Sequence, residues 1–350
     1  MVEDEEKISA ARTLVQKHAS IKKGERVIVF GDTTTDKVFS RAISSACREL
    51  GAKATRVTMP SSTLAAGYDV REKALSGMSD MMGDVLKGVD VAIGLASMVG
   101  EAAHSKALAE LCNQKQIRVI GVWGGGKELD LVFNALREHD YEDVYRLSKK
   151  ITNFLAKSKN IHITSKQGTD LTASIEDIWA VEGPYKWVGG IVQEPGEVAQ
   201  FPDGEAWGGP REGTANGVLV VDGAISRDIC TSAEGPSEPL KMTVEKGRIV
   251  NVEGGKEAEE VRKLIDTYPG ADNLSEIAIG TNRYAKFIGH CDAWDKKVAG
   301  GIHVAIGENT WQIYPYGTVD CAIHVDMVIR RSTVEVDGEV ILEDGKLLMS

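Results

Sequence analysis

The hydrophobic positions of this chain change rhythm halfway along. In the first half, short continuous apolar runs alternate with stretches of helical period. Arg26–Phe30 (RVIVF) is followed by Gly-Asp, the pattern of a strand buried on both faces of a parallel sheet. Asp36–Leu50 has helical spacing and is stopped by Gly51. Lys53–Met59 reads as the next strand, ended by Pro60. The alternation predicts a helix near Val70–Leu86, a strand at Val89–Leu95, a helix at Glu101–Cys112, a strand at Ile117–Val122 and a closing helix at Tyr141–Lys157. This is the signature of an α/β domain with a doubly wound parallel sheet, placed at residues 1–158.

From Ile161 onward, short runs of strand period are separated by Gly, Pro, Asn and Asp: IHITS, DLTASI, GVLVVDG, KMTVEKGRIVNVEGG, SEIAIG, GIHVAIG, CAIHVDMVIR and STVEVDGEVIL. Asp337-Gly338 is a hairpin turn signal. One helix, Glu257–Thr267, interrupts the series. The second domain, residues 159–350, is therefore expected to be mostly antiparallel β, an α+β unit.

Composition narrows the class. The 350 residues carry a formal net charge of −11, with basic residues dispersed and no Lys/Arg stripe among aromatics, which argues against nucleic-acid binding. No run is apolar for long enough to cross a bilayer, and the acidic N-terminus does not read as a secretory signal. Cys47, Cys112, Cys230, Cys291 and Cys321 are scattered, odd in number and without a CxxC pair. A disulfide framework and a thiolate zinc site are thus disfavoured, and a cytoplasmic protein is expected.

Several local signals carry little. Gly124-Gly125-Gly126-Lys127 lacks phosphate-loop spacing and reads as a turn. Gly31–Thr35 lacks a dinucleotide fingerprint and reads as helix capping, with Thr35 or a neighbour at the N-cap. His18, His104 and His139 read as surface or packing residues, and His162 could point either way from its strand. No nucleophile elbow or Cys-His arrangement supports an acyl-enzyme.

The chemistry concentrates in the second domain. In His324-Val325-Asp326, residues i and i+2 of a strand present an imidazole and a carboxylate on one face of an apolar run. Burying either group without a partner is costly, so the placement needs a cause. His303 in GIHVAIG and Glu276 in SEIAIG repeat the pattern, and Glu197 in PGEVA is a fifth candidate. Two imidazoles and three carboxylates could hold two divalent ions, or one ion beside a general base. Hydrogen-bonded His and Asp pairs inside a core, in a non-enzymatic protein, are the alternative.

The ordered segments PGEVAQFP, SEIAIG, GGIHVAIG, AIHVDMVI and VDGEVILEDGK resemble the aminopeptidase T/aminopeptidase S family of metallopeptidases. The resemblance covers most of the chain, with its specific motifs in the C-terminal half. It implies that Glu197, Glu276, His303, His324 and Asp326 are metal ligands, and that the protein is a homodimer. The family often has an Asp-Glu-Lys segment where this chain has Asp295-Lys296-Lys297. In length the chain resembles a sister group of the same fold, the 2,5-dihydroxypyridine 5,6-dioxygenases. These look to place a His where this chain has Glu276, and to hold one Fe(II) with it and the His-x-Asp pair.

The carboxylate-rich set favours a metallohydrolase, an aminopeptidase-like enzyme cleaving an amide or related C–N bond with water activated by one or two Zn, Mn or Co ions. Glu197 is the expected proton shuttle. The substrate would be a short peptide or small molecule, and Trp311, Tyr314 and Tyr316 could line its pocket. The alternative is a non-haem Fe(II) ring-cleaving dioxygenase acting on a dihydroxylated N-heteroaromatic, against which Glu276 counts.

Overall fold

A computed structural model describes residues 4–59, 85–86, 88–95, 116–123, 128–179, 186–187, 189–310 and 317–349. By its contacts the chain divides into two units, residues 1–145 with 184–203, and residues 146–183 with 204–350. The composition shift had suggested one cut after residue 158.

The first unit is built on a six-stranded sheet in which every pairing is parallel. Its strands are β1 (Arg26–Asp32), β2 (Lys53–Met59), β3 (Val91–Gly94), β4 (Arg118–Val122), β7 (Lys186–Trp187) and β8 (Glu197–Phe201), in the order β2-β1-β3-β4-β8-β7. The expected strands are present, and β3 and β4 are buried at every position, as the unbroken apolar runs required. The unit also contains α1 (Asp4–Thr13), α2 (Lys37–Glu49) and α3 (Glu128–Glu138). Asp36, rather than Thr35, caps α2 by accepting from the Phe39 amide at 2.8 Å. Thr35 instead accepts from the Asp32 amide at 2.9 Å, and Asp32 accepts from the Thr34 and Thr35 amides, so the Gly31–Thr35 segment is a self-bonded turn. The expected helices near 70–86 and 101–112 lie largely or wholly outside the described residues.

The helix α4 (Tyr141–Leu155) spans the division at residue 145. Its Leu147, Ile151 and Leu155 are fully buried in the core of the second unit. That unit holds two antiparallel sheets. The larger has eight strands: β5 (Asn160–Ser165), β6 (Asp170–Ser174), β10 (Asn216–Val221), β11 (Leu240–Glu245), β12 (Arg248–Glu253), β16 (Ser332–Val336), β17 (Glu339–Glu343) and β18 (Lys346–Leu347). The helix α5 (Lys256–Thr267) buries Ala258 and Val261 in the same core. Asp337-Gly338 turns β16 into β17, with Asp337 at φ 48° and Gly338 at φ 89°.

The smaller sheet has four strands in the order β15-β14-β13-β9: β9 (Glu205–Gly208), β13 (Leu274–Gly280), β14 (Ile302–Gly307) and β15 (His324–Ile329). Ile277, Ile279, Ile302, Val304, Ile306, Val325, Met327 and Ile329 all belong to the second unit's core. The residues between them must point to the other face. The apolar face thus fixes the register that aims the intervening polar residues.

Candidate metal centre

The second face of the four-stranded sheet gathers ligand-type side chains from all four strands. Glu276 pairs with Ala305, and Ala305 pairs with Asp326, so a small side chain separates two carboxylates in one row. His303 lies two residues before Ala305 on β14, and His324 two residues before Asp326 on β15, so both imidazoles share that face. Glu205 begins β9 and pairs with Gly280. A register shift between Leu274 and Glu276 brings Glu276 into line with Ala305.

The side chains converge. The His303 Nε2 group is 2.8 Å from Glu276 Oε1 and 3.8 Å from Asp326 Oδ1. His324 Nε2 lies 3.3 Å from both Glu276 Oε2 and Asp326 Oδ1. Candidate ligand atoms of Glu276, His303 and Asp326 all fall within 4.8 Å of one another, close enough to share one cation. His324 Nδ1 donates to the Glu308 carbonyl at 3.1 Å, the tautomer that leaves the Nε2 lone pair to a metal. The Asp326 backbone is fixed by Ser226, whose hydroxyl accepts from the Asp326 amide at 2.9 Å.

Beside this face lies the 3₁₀ turn Asp295–Lys297. Asp295 anchors it by accepting from the amides of Ile288 and Gly289 at 2.9 and 2.8 Å. Gly280 permits its approach, since a Cβ there would stand 2.0 Å from the Val298 carbonyl oxygen. Lys296 Nζ donates to Asp326 Oδ2 at 3.0 Å, and Lys297 Nζ donates to Glu205 Oε1. Among the described residues, Asp326 Oδ1 and Glu205 Oε2 are buried without a hydrogen-bond partner. Orphaned carboxylate oxygens aimed at imidazoles are what a divalent cation would satisfy, so the residues present fit a metal.

The electrostatics follow from this crowding. Burial by itself would lower the His324 pKa, but Asp326 and Glu276 raise it to about 10. Burial opposes ionisation of Glu276 and Asp326, yet both are held well below the usual carboxylate range. The His303 bond dominates the lowering of Glu276, and the Lys296 charge that of Asp326. Burial and the Asp326 charge push nearby Asp292 up.

Four of the five expected ligands, Glu276, His303, His324 and Asp326, are therefore brought together. Glu197 is not among the residues that this sheet gathers. It stands in the parallel sheet of the first unit, where its Oε2 accepts from the amides of Gln193 and Glu194 at 2.7 and 2.8 Å and closes the Pro195-Gly196 turn. Glu205 and Lys297 were not singled out by the sequence reading. Glu205 sits in a four-residue strand, too short to display an alternation. His18 is a packing residue: it is buried, bonded through Nδ1 to the Gly190 carbonyl at 2.8 Å, and set edge-on to Tyr141 and Phe201. His162 points to solvent and bonds Asp170 at 2.8 Å. Cys47, Cys230, Cys291 and Cys321 are free and buried. Gly124–Lys127, His104, Trp311, Tyr314 and Tyr316 lie outside the described residues. Among those residues, no helix is long and apolar enough to cross a membrane.

A family model described as 2,5-dihydroxypyridine 5,6-dioxygenase matches residues 8–349. The chain is 26% identical over 217 residues to the 2,5-dihydroxypyridine 5,6-dioxygenase of Pseudomonas putida, a match spanning 59% of each protein. Among solved structures, it is similar to the 2,5-dihydroxypyridine dioxygenase of Pseudomonas putida KT2440, with a TM-score of 0.81 and 21% identity over 100% of this chain and 99% of that one. AmpT from Thermus thermophilus follows, with a TM-score of 0.63 and 16% identity over 98% of this chain and 99% of that one. At such identities these structural likenesses show the fold, and the aminopeptidase resemblance is one of fold.

These matches overturn the expected metallohydrolase, with its aminopeptidase and metalloprotease character. The hydrolytic preference rested on counting carboxylates. The structure shows that Asp326 is bonded to Lys296 and Glu276 to His303, so the number of acids does not measure the charge left for metal ions. Matched by the family model over nearly its whole length, this chain belongs to the 2,5-dihydroxypyridine 5,6-dioxygenase family.

Proposed function

We propose that the protein is a non-haem iron(II) dioxygenase that opens the ring of a dihydroxylated N-heteroaromatic, with a dihydroxypyridine as the first substrate to test. The observation that carries this reading is the cluster of Glu276, His303 and Asp326, with His324 Nε2 3.3 Å from both carboxylates, on one face of a sheet in a chain of this family. Two imidazoles and a carboxylate are the donor set of non-haem iron(II) oxygenases. When bound, iron supplies the redox chemistry that lets dioxygen react with an aromatic ring.

The protein's own groups supply position and charge. The Glu308 carbonyl holds the His324 ring, and Lys296 and Ser226 hold Asp326, so the donor atoms need little reorganisation. Glu276 is ionised and buried, which suits it to accept a proton leaving a substrate hydroxyl at the centre. Burial of Glu276, His303 and Asp326 keeps bulk water from these groups.

The test is oxygen uptake by anaerobically iron-loaded protein on addition of 2,5-dihydroxypyridine. This reading expects about one dioxygen consumed per ring opened, with no external reductant. No uptake with any dihydroxypyridine would remove it. We also propose that the protein is a homodimer, which light scattering would show as twice the chain mass.

A further inference from the structure

The adjacent lysines of the 295–297 turn have a geometry unusual for surface cations. Lys297 is fully buried, 1% exposed, and its partner Glu205 is 5% exposed. Lys296 is 14% exposed in its side chain and bonds the 6% exposed Asp326 side chain. Neighbours in sequence, they bind two different carboxylates on the outer strands of the sheet, β15 and β9. Each takes one carboxylate oxygen and leaves the other without a hydrogen-bond partner among the described residues. Both remaining oxygens lie near His303 Nε2, Asp326 Oδ1 at 3.8 Å and Glu205 Oε2 at 3.7 Å, and Asp326 Oδ1 is also 3.3 Å from His324 Nε2.

We infer that Lys296 and Lys297 hold this centre to a single divalent ion, standing where a second cation would otherwise bond Asp326 and Glu205. The inference rests on the metal site of the proposed function and names the residues that set its stoichiometry. Two ions a few ångströms apart are held together by carboxylates that give one oxygen to each. Here one oxygen of each candidate bridge is already bonded to an ammonium.

The charge count agrees. Leaving aside nearby Asp292, whose ionisation is opposed by burial and by the Asp326 charge, Glu205, Glu276 and Asp326 bring three negative charges, and the two lysines bring two positive ones. With neutral imidazoles the site carries −1, so one divalent ion makes it +1 and two would make it +3. In a buried site that excess is poorly screened. The lysines act as positioning residues: they need not touch substrate, and each aims one carboxylate oxygen inward by bonding the other.

The test is metal stoichiometry, with manganese(II) as the probe. Wild type, Lys296→Glu and Lys296→Arg are dialysed against manganese, counted by inductively coupled plasma mass spectrometry and examined by electron paramagnetic resonance for spin coupling. Lys296→Glu lowers the site charge from −1 to −3, which two ions bring back to +1. Wild type and Lys296→Arg are expected to hold about one equivalent with an uncoupled signal, and Lys296→Glu about two with a coupled one. Two equivalents in the wild type would overturn the inference, as would one uncoupled equivalent in a folded Lys296→Glu. Should Lys296→Glu not fold by circular dichroism, Lys296→Gln serves instead: a second, weaker manganese site supports the inference, and a single site overturns it. Oxygen uptake is scored separately, so one manganese per chain without ring opening would fail the proposed function and leave this inference standing.

Discussion

His324 is bound from both sides of its ring, by the Glu308 carbonyl at Nδ1 and by two carboxylates near Nε2. Its pKa of about 10 means that the metal-free ring is protonated at neutral pH. A metal must displace that proton, so binding strengthens as pH rises, by about tenfold per pH unit until the ring deprotonates. Calorimetry in buffers of different ionisation enthalpy should show about one proton released per metal at pH 7. Replacing a ligand is a harsher change: His324→Ala and Asp326→Ala are expected to weaken metal binding more than about 100-fold, beyond the usual cost of losing a supporting contact. Competition with a chromophoric chelator checks this. The four clustered residues were legible because each is a polar side chain inside an apolar strand. Glu205 was not, since EAWG offers too few residues to show a period. Lys296 was visible only as a departure from a motif, because its role depends on contact with Asp326, thirty positions away.

The four-stranded sheet separates packing from chemistry by the alternation of its strands. Ile277 is fully buried on the apolar face, so Ile277→Ala is expected to cost about 2–5 kcal/mol of stability, read from denaturant unfolding. Ala305 stands on the other face between Glu276 and Asp326. Ala305→Leu would drive a larger side chain between them, costing about 1–3 kcal/mol by overpacking, and should abolish metal uptake by protein that still folds. Metal analysis beside a thermal melt separates the two effects; undiminished metal content would show that the face is not the binding surface. The parallel strands of the first unit were legible from their apolar runs, and most strands of the second from their turn residues. Glu197–Phe201 was harder to place. Its five residues follow the change in composition, yet four of them, Val198–Phe201, pair with Val119–Val122, far upstream, within the parallel sheet. Pairing across such a distance leaves no trace in local periodicity.

For the whole molecule, the first unit ties stability to pH through buried imidazoles. In the first unit, burial lowers the pKa of His18 to about 4, from its ordinary 6.5, while the Gly190 carbonyl bond opposes the shift. The unfolded chain therefore binds a proton that the folded one refuses. The stabilisation is present above about pH 6.5 and is lost as pH falls towards 4, about 3 kcal/mol in all. Unfolding of the wild type followed from pH 7 to 4 should show this slope, and a His18→Gln variant should lose much of it. His139, lowered to about 4 by burial, sustains the remainder.

The clustered ligand-type residues belong to the second unit, and the proposed ring opening takes its oxygen from dioxygen rather than from water. Iron-loaded protein should be given a dihydroxypyridine under ¹⁸O₂ in ordinary water, and the ring-opened product weighed by mass spectrometry. The account predicts that both atoms of one labelled dioxygen appear in the product. Product oxygen drawn only from water, or an intact ring, would contradict it.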